Sequence, residues 1–311
     1  LLFLSSLLPD SDSYNVPLQL KLTGELDQSA LQQSLNIIVA RHESLRTSFE
    51  SKNGQHVQVI MPTLNVPLVY QSLIQHDPDT RHEKLQELTV HERLIPFNLS
   101  TGPLIRATLI QISSDEYALL ITLHHIVCDG WSLGILFKEL KSFYEVCSAG
   151  SSIDTLQPEV QYADFSVWQR KLLSGDTLDR QLTYWRNKLD GHTTLQLPTD
   201  FLRPQIQAFE GAQIVKALPE KLSSEIKKLS DRNGATLFMT LLASFNVLLY
   251  RYCQQDDIVI GTPIANRNRF EIEEIIGFFV NMLVIRTDMS GSPTFETLLK
   301  QVKENALEAY Q

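Results

Sequence analysis

The sequence predicts a mixed α/β protein built as two lobes, and three observations carry that expectation. Apolar residues recur at the two-residue spacing of half-buried strands and at the three-to-four-residue spacing of amphipathic helices. Both kinds of segment intermix along each half of the chain. The length, 311 residues with 43% hydrophobic and 20% charged side chains, suits two domains or two lobes sharing an interface.

Val16, Leu18, Leu20 and Leu22 alternate with polar residues as a strand with one buried face should. In "LDQSALQQSLNIIVARH", Ala30, Leu31, Leu35, Ile38 and Val39 form a helical stripe. "SLRTSFE" and "HVQVIM" read as short strands, and "TRHEKLQELTVHERL" as a helix. "PLIRATLIQIS" and "YALLITLHHI" are apolar strands separated by the turn residues "SSDE", which predicts a hairpin. After the Asp129-Gly130 pair, "WSLGILFKELKSFYEVC" is an amphipathic helix. The clearest break in composition is Ser148 to Pro158, and helices in "QYADFSVWQRKLL" and "DRQLTYWRNKLDG" follow it. A second α/β stretch begins with a strand near "AQIVKAL" and the helices "PEKLSSEIKKLSDRNG" and "LFMTLLASFNVLLYRY". It continues with the strands "DIVIGTPI" and "FVNMLVIRTD" and a helix from Thr294. The two lobes join near residues 170–190. A start at Leu1 rather than Met, and an end within a helical pattern, lead us to expect a piece of a longer protein.

Charge and cysteine usage exclude several classes. The formal net charge is −9 with scattered Lys and Arg, so no footprint for nucleic acid exists. Cys128, Cys147 and Cys253 are too widely spaced for a disulfide framework or a zinc pattern, so a reducing cytoplasm is expected. The apolar opening "LLFLSSLLPD" lacks the basic region of a signal peptide. The run Leu237 to Tyr250 is too short to span a bilayer and is interrupted by Ser244 and Asn246, so no membrane role is expected.

The chemistry concentrates in "LHHIVCDGWSLG", Leu123 to Gly134. Three readings stand: a metal site, an acid–base site, or satisfied polar residues at a strand end. Neighbours on a strand point to opposite faces, so His124 and His125 cannot serve one site while the strand is regular. That weakens the metal reading, because His and Asp at this spacing then supply at most two ligands and no His-x-x-x-His helix or Cys pair offers the others. A strand end facing a cleft is where a base can be exposed yet held. Asp129 can fix the turn by bonding backbone or an Arg, and Gly130 lets a substrate approach the backbone. The chain has no Gly-x-Ser-x-Gly, phosphate loop or dinucleotide fingerprint, so a base without a protein nucleophile points to direct transfer between two bound substrates.

The stretch "HHIVCDG" resembles the signature of condensation domains of nonribosomal peptide synthetases. Four other stretches agree in the family's order: "LLFLSSLLPDSDSYNVP", "RHESLRTSF" (Arg41 to Phe49), "YADFSVWQ" (Tyr162 to Gln169) and "GTPIANRNRFEIEEIIGFFVNMLVIR" (Gly261 to Arg286). The leading Ser-x-x-Gln of the first motif and the family's last two motifs are absent. The resemblance implies two chloramphenicol acetyltransferase-like lobes forming a V-shaped pseudo-dimer with a central tunnel. Residues 1–176 would be the lobe carrying the His pair, and 177–311 part of the second lobe.

The resemblance further implies amide-bond formation between a donor thioester and an acceptor aminoacyl thioester, with both L-configured. It implies no metal or diffusible cofactor. Each substrate arrives on the 4'-phosphopantetheine of a carrier protein, one upstream and one downstream, beside an adenylation domain. It assigns catalysis to His125. His124 is read as structural, and Asp129 as an architectural residue ion-paired to Arg41 or Arg46. Gly130 either offers its N–H to the tunnel or is a simple turn glycine. Asn281, Trp131 and Ser132 are placed in the substrate tunnel, with Asn281 either bonding substrate amides or capping a strand. Tyr162 and Trp168 are read as packing residues, and Cys128 as a small apolar filler. Two alternatives within the family are an epimerising member and a non-catalytic member that docks carrier proteins.

Overall fold

The structure is a computed structural model that describes residues 1–7, 11–151, 157–205 and 211–310. It divides into two compact units. The first is Leu1–Leu172 with Ala265–Val280, and the second is Leu173–Ile264 with Asn281–Gln311. The expected lobes are contiguous stretches of chain. These units interleave, since a segment late in the sequence returns to the first.

In chain order the first unit holds α1 (Leu2–Leu7), β1 (Asn15–Thr23), α2 (Gln28–Arg41), a 3-10 turn (Glu43–Arg46), β2 (Thr47–Lys52) and β3 (Gln55–Ile60). It continues with β4 (Leu68–Ser72), α3 (Pro78–Leu94), β5 (Ile105–Gln111), β6 (Glu116–His124), α4 (Gly130–Ser148) and α5 (Tyr162–Leu172). The main sheet has the order β1-β6-β5-β4. β5 and β6 form the expected antiparallel hairpin, β1 lies antiparallel on the other side of β6, and β4 runs parallel to β5 with α3 as the crossover.

Burial explains the two hydrophobic patterns. Leu119, Ile121 and Leu123 of β6 face a core shared with Leu31, Leu35 and Ile38 of α2 and Leu136 and Leu140 of α4. Ala118 and Leu120, with Ile110 of β5, face Leu85 and Leu88 of α3. A strand covered on both faces reads as an unbroken apolar run, whereas the edge strand β1 alternates. Asp27, Asp77 and Asp129 cap α2, α3 and α4 by accepting the N–H of Ala30, Thr80 and Ser132.

Two departures from the sequence reading occur here. Residues 44–46 of "SLRTSFE" form the 3-10 turn that buries Leu45, and the strand starts only at Thr47. α1 and β4 were not anticipated. β2 and β3 pair as a separate hairpin whose turn residues Asn53 and Gly54 both have positive φ, the Asn-Gly chemistry of a tight turn. Part of the composition break at residues 148–158 falls outside the described residues.

The second unit holds α6 (Gly175–Leu189), α7 (Glu220–Arg232), α8 (Leu237–Cys253), β7 (Asp257–Ile264), β8 (Asn281–Asp288) and α9 (Phe295–Tyr310). β7 and β8 pair antiparallel from Asp257↔Asp288 to Ile264↔Asn281. Their core joins Ile258, Leu283 and Ile285 to Leu242 and Ala243 of α8 and Leu299 and Val302 of α9. The Asn246 that interrupts the apolar run is buried and donates to Thr287 Oγ1 at 3.1 Å. The strand expected near "AQIVKAL" does not form: Ile214 and Val215 are 86% and 82% exposed. An apolar segment becomes a strand only where a neighbour completes its ladder, and among the described residues β7 and β8 pair only with each other. No single helix among the described residues is long and apolar enough to cross a membrane.

Candidate active site

The His pair straddles the end of β6. His124 is its last residue, opposite Asn15 of β1, and lies on the face that carries Leu120 and Ala118. It is 3% exposed and sits between the rings of Tyr14 and Phe97, with centroids 6.0 and 6.1 Å away. Its Nδ1 accepts the N–H of Ile126 at 3.1 Å, so the neutral ring carries its proton on Nε2. Burial, with a smaller contribution from neighbouring His125, lowers its pKa to about 4. His124 therefore stays neutral through the physiological range. It also lines a cavity of about 510 Å³ with Phe49, Glu50 and Phe97.

His125 departs in the other sense and is only half-buried. Its N–H bonds to Tyr14 O at 2.8 Å, which holds the turn against the strand that follows Tyr14. Its Nδ1 lies 2.7 Å from Cys128 O. A carbonyl can only accept, so Nδ1 carries the proton and the Nε2 lone pair is left to accept. No described residue bonds Nε2. Cys128 itself is fully buried, and burial beside Asp129 pushes its thiol up to about 12.

Asp129 is 1% exposed and its carboxylate is saturated with donors. It accepts Ser132 N–H at 2.8 Å, Ser132 Oγ–H at 2.7 Å, Phe279 N–H at 3.0 Å and Arg267 Nη2–H at 3.1 Å. The ion-pair partner is thus Arg267, which corrects the expectation of Arg41 or Arg46. Arg41 bonds Glu139 at 2.9 Å, and a rise of 1.5 Å per residue puts Glu139 about 15 Å along α4 from Asp129. Arg46 pairs with Glu43 and donates to Met61 O. Arg267 also donates from Nη1 to the carbonyls of Ile272 and Ile275, at 2.6 and 2.7 Å, and lies 4.1 Å over the Phe279 ring.

Ser132 corrects a second expectation. It is fully buried, so it lines no substrate path. Its Oγ donates to Asp129 and is bonded by Gly277 N–H at 3.1 Å and Arg267 Nη2 at 3.0 Å, with Gly277 O 2.9 Å away. Trp131 is half-exposed and donates from Nε1 to Glu273 O at 2.9 Å. Gly130 opens α4 and is exposed; a Cβ there would meet no atom within 4 Å. Asn281 belongs to the second unit, where it is exposed and its Oδ1 accepts the N–H of Met282 at 2.9 Å.

Residues 276–279 are held one by one. Ile276 O accepts from Ser44 Oγ at 2.6 Å, and Ile276 N–H bonds Nδ1 of the buried His42, whose Nε2 donates to Glu139. Gly277 meets Ser132, Phe278 O accepts from Tyr162 Oη at 2.8 Å, and Phe279 N–H meets Asp129. Arg267, Tyr162 and His42 are site residues that sequence reasoning missed in these roles. Each lies in a motif that matches the family, but nothing in its spacing marks it as a partner of the turn.

The family model for the condensation domain matches residues 1–311. The chain belongs to the condensation-domain family. This condensation domain is 48% identical over 309 residues to a linear gramicidin synthase of Brevibacillus parabrevis, covering 99% of the chain and 6% of that protein. The chain thus spans a small fraction of the curated relative it matches. Among solved structures it resembles the X-domain from teicoplanin biosynthesis, with a TM-score of 0.86 and 29% identity over 96% of this chain and 66% of that one. The first condensation domain of the CDA synthetase shares the fold at a TM-score of 0.78 and 19% identity, over 98% of this chain and 72% of that one. The fold is that of the chloramphenicol acetyltransferase-like condensation domains.

Within this condensation domain, a half-buried imidazole with one nitrogen bonded and the other free belongs to a turn that is tied down by the Asp129, Ser132 and Arg267 hydrogen bonds. Such a group can accept a proton from, or orient, a bound nucleophile. Among the described residues no three His, Cys, Asp or Glu side chains cluster as metal ligands would.

Proposed function

We propose that this condensation domain forms an amide bond between a donor acyl or peptidyl thioester and an acceptor aminoacyl thioester, with both residues L-configured. Each substrate is tethered by phosphopantetheine to a carrier protein, the donor upstream and the acceptor downstream, and an adenylation domain is adjacent. The observation that carries this reading is the free Nε2 of His125 on an imidazole whose Nδ1 is fixed by Cys128 O.

In this reaction the acceptor amine attacks the donor thioester carbonyl, the C–N bond forms and the C–S bond breaks. The proton lost by the amine passes to Nε2 and then to the departing thiolate. A magnitude limits what His125 does: an α-amine of pKa 7.7–8.0 is already roughly a tenth neutral at pH 7. Generating free amine therefore contributes only about 1.4 kcal/mol. The larger share comes from holding the amine in line and taking its proton as the bond forms. Asp129 acts at a distance, by holding the turn that carries His125. The exposed, bare Gly130 and the half-exposed Trp131 leave room beside that turn.

The test loads donor and acceptor carriers with aminoacyl-phosphopantetheine and follows acceptor-bound dipeptide by intact-protein mass spectrometry, wild type against His125→Ala. Dipeptide from the wild type alone supports the proposal. α-Proton exchange without dipeptide points to epimerisation, and neither signal points to a docking role; both outcomes overturn it.

A further inference from the structure

The rings of His125 and Phe278 meet nearly perpendicular, at 84° with centroids 5.2 Å apart. The hydrogen bond to Cys128 O selects which ring nitrogen faces the carbonyl, but the broad χ2 torsion of histidine leaves the tilt of the ring loosely held. A ring flip would exchange the free nitrogen for a carbon. A wall on a second side limits the tilt and hinders the flip, and an aromatic ring in this geometry adds an attraction of its own.

Phe278 is built to be that wall. Its neighbours are pinned: Gly277 by Ser132, and Phe279 by Asp129 and by the rings of Phe165 and Tyr162 at 4.7 and 5.1 Å. Its own carbonyl is held by Tyr162 Oη. Phe279 goes into the core beside Ile272 and Ile275, while Phe278 stays half-buried against His125. The Asp129 that caps α4 after the His125 turn also holds the N–H next to Phe278, so one carboxylate ties both rings to a common frame.

We infer that Phe278 is a positioning residue that fixes the plane of the His125 imidazole and keeps Nε2 turned toward the substrates. This deepens the amide-forming reading and rests on it only for its kinetic consequence. The structural claim is tested in the protein labelled with ¹⁵N-histidine, with the His125 signals assigned by their loss in His125→Ala. The wild type should show one tautomer, protonated on Nδ1, in one ring environment. Phe278→Ala should show a mixture of tautomers or exchange-broadened ring signals, and Phe278→Tyr should restore the single form. Phe278→Leu, which keeps volume without the ring, serves if the alanine variant loses its fold. With loaded carriers, kcat for dipeptide should fall about tenfold to a hundredfold in Phe278→Ala while the acceptor KM holds. Imidazole signals in the alanine and leucine variants identical to those of the wild type would overturn the inference. Altered signals in a protein that forms no dipeptide would sustain it and reject the amide-forming reading instead.

Discussion

The carboxylate of Asp129 meets the guanidinium of Arg267 at 3.1 Å with both side chains out of contact with water, 138 residues apart in sequence. A charge in that position cannot be stranded cheaply, because its partner would remain desolvated. Asp129→Ala should therefore lower stability by about 3–5 kcal/mol in urea unfolding. Arg267→Ala should do the same, and the double variant should cost clearly less than the sum. Strict additivity would show that the two residues act independently.

His124 gives stability a pH dependence whose sign follows from its lowered pKa. The unfolded chain takes up a proton near pH 6.5 and the folded chain only near pH 4. Its contribution is thus intact above pH 6.5 and is lost as pH falls toward 4, by roughly 3 kcal/mol. Unfolding free energies of the wild type and His124→Gln, taken from pH 7.5 to 4, should converge by that amount. A constant difference across this window would rule the assignment out.

His125→Ala should separate activity from stability. The side chain is half-buried and makes one polar contact, so the melting temperature should move little. Dipeptide formation should fall by roughly 10²–10⁴-fold, the scale of a positioned acid–base group. Turnover at the wild-type rate would remove His125 from the mechanism.

Two glycines should respond in opposite ways to Ala. At Gly277 a Cβ would lie 2.4 Å from the Tyr162 ring, so Gly277→Ala should cost about 1–3 kcal/mol and displace the segment carrying Phe278. At Gly130 a Cβ meets nothing, so Gly130→Ala should leave stability within about 0.5 kcal/mol. If substrate passes that backbone, the same variant raises the acceptor KM, which steady-state kinetics with loaded carriers would read.

Local physics explains why so much of the turn was legible. The two-residue period of a strand separates His124 from His125, and a β6 buried on both faces shows itself as an apolar run. The Asp-Gly pair before a helical stripe marks the start of α4, because a side-chain oxygen must satisfy its first N–H groups. Where the same local rules were asked about pairing they failed. Residues 212–218 were read as a strand yet pair with none of the described residues, and Arg41 and Arg46 belong to a matching motif yet turn to Glu139 and Glu43.

Most of the periodic elements, the family and the opposite facing of the two histidines were legible in the chain, since each depends on neighbours within a few residues or on ordered motifs. The tertiary structure alone decided which arginine neutralises Asp129, that Ser132 is a buried junction, and that Phe278 stands against His125. Those choices rest on a segment returning across more than a hundred residues, and a return of that length leaves no periodic trace in the chain.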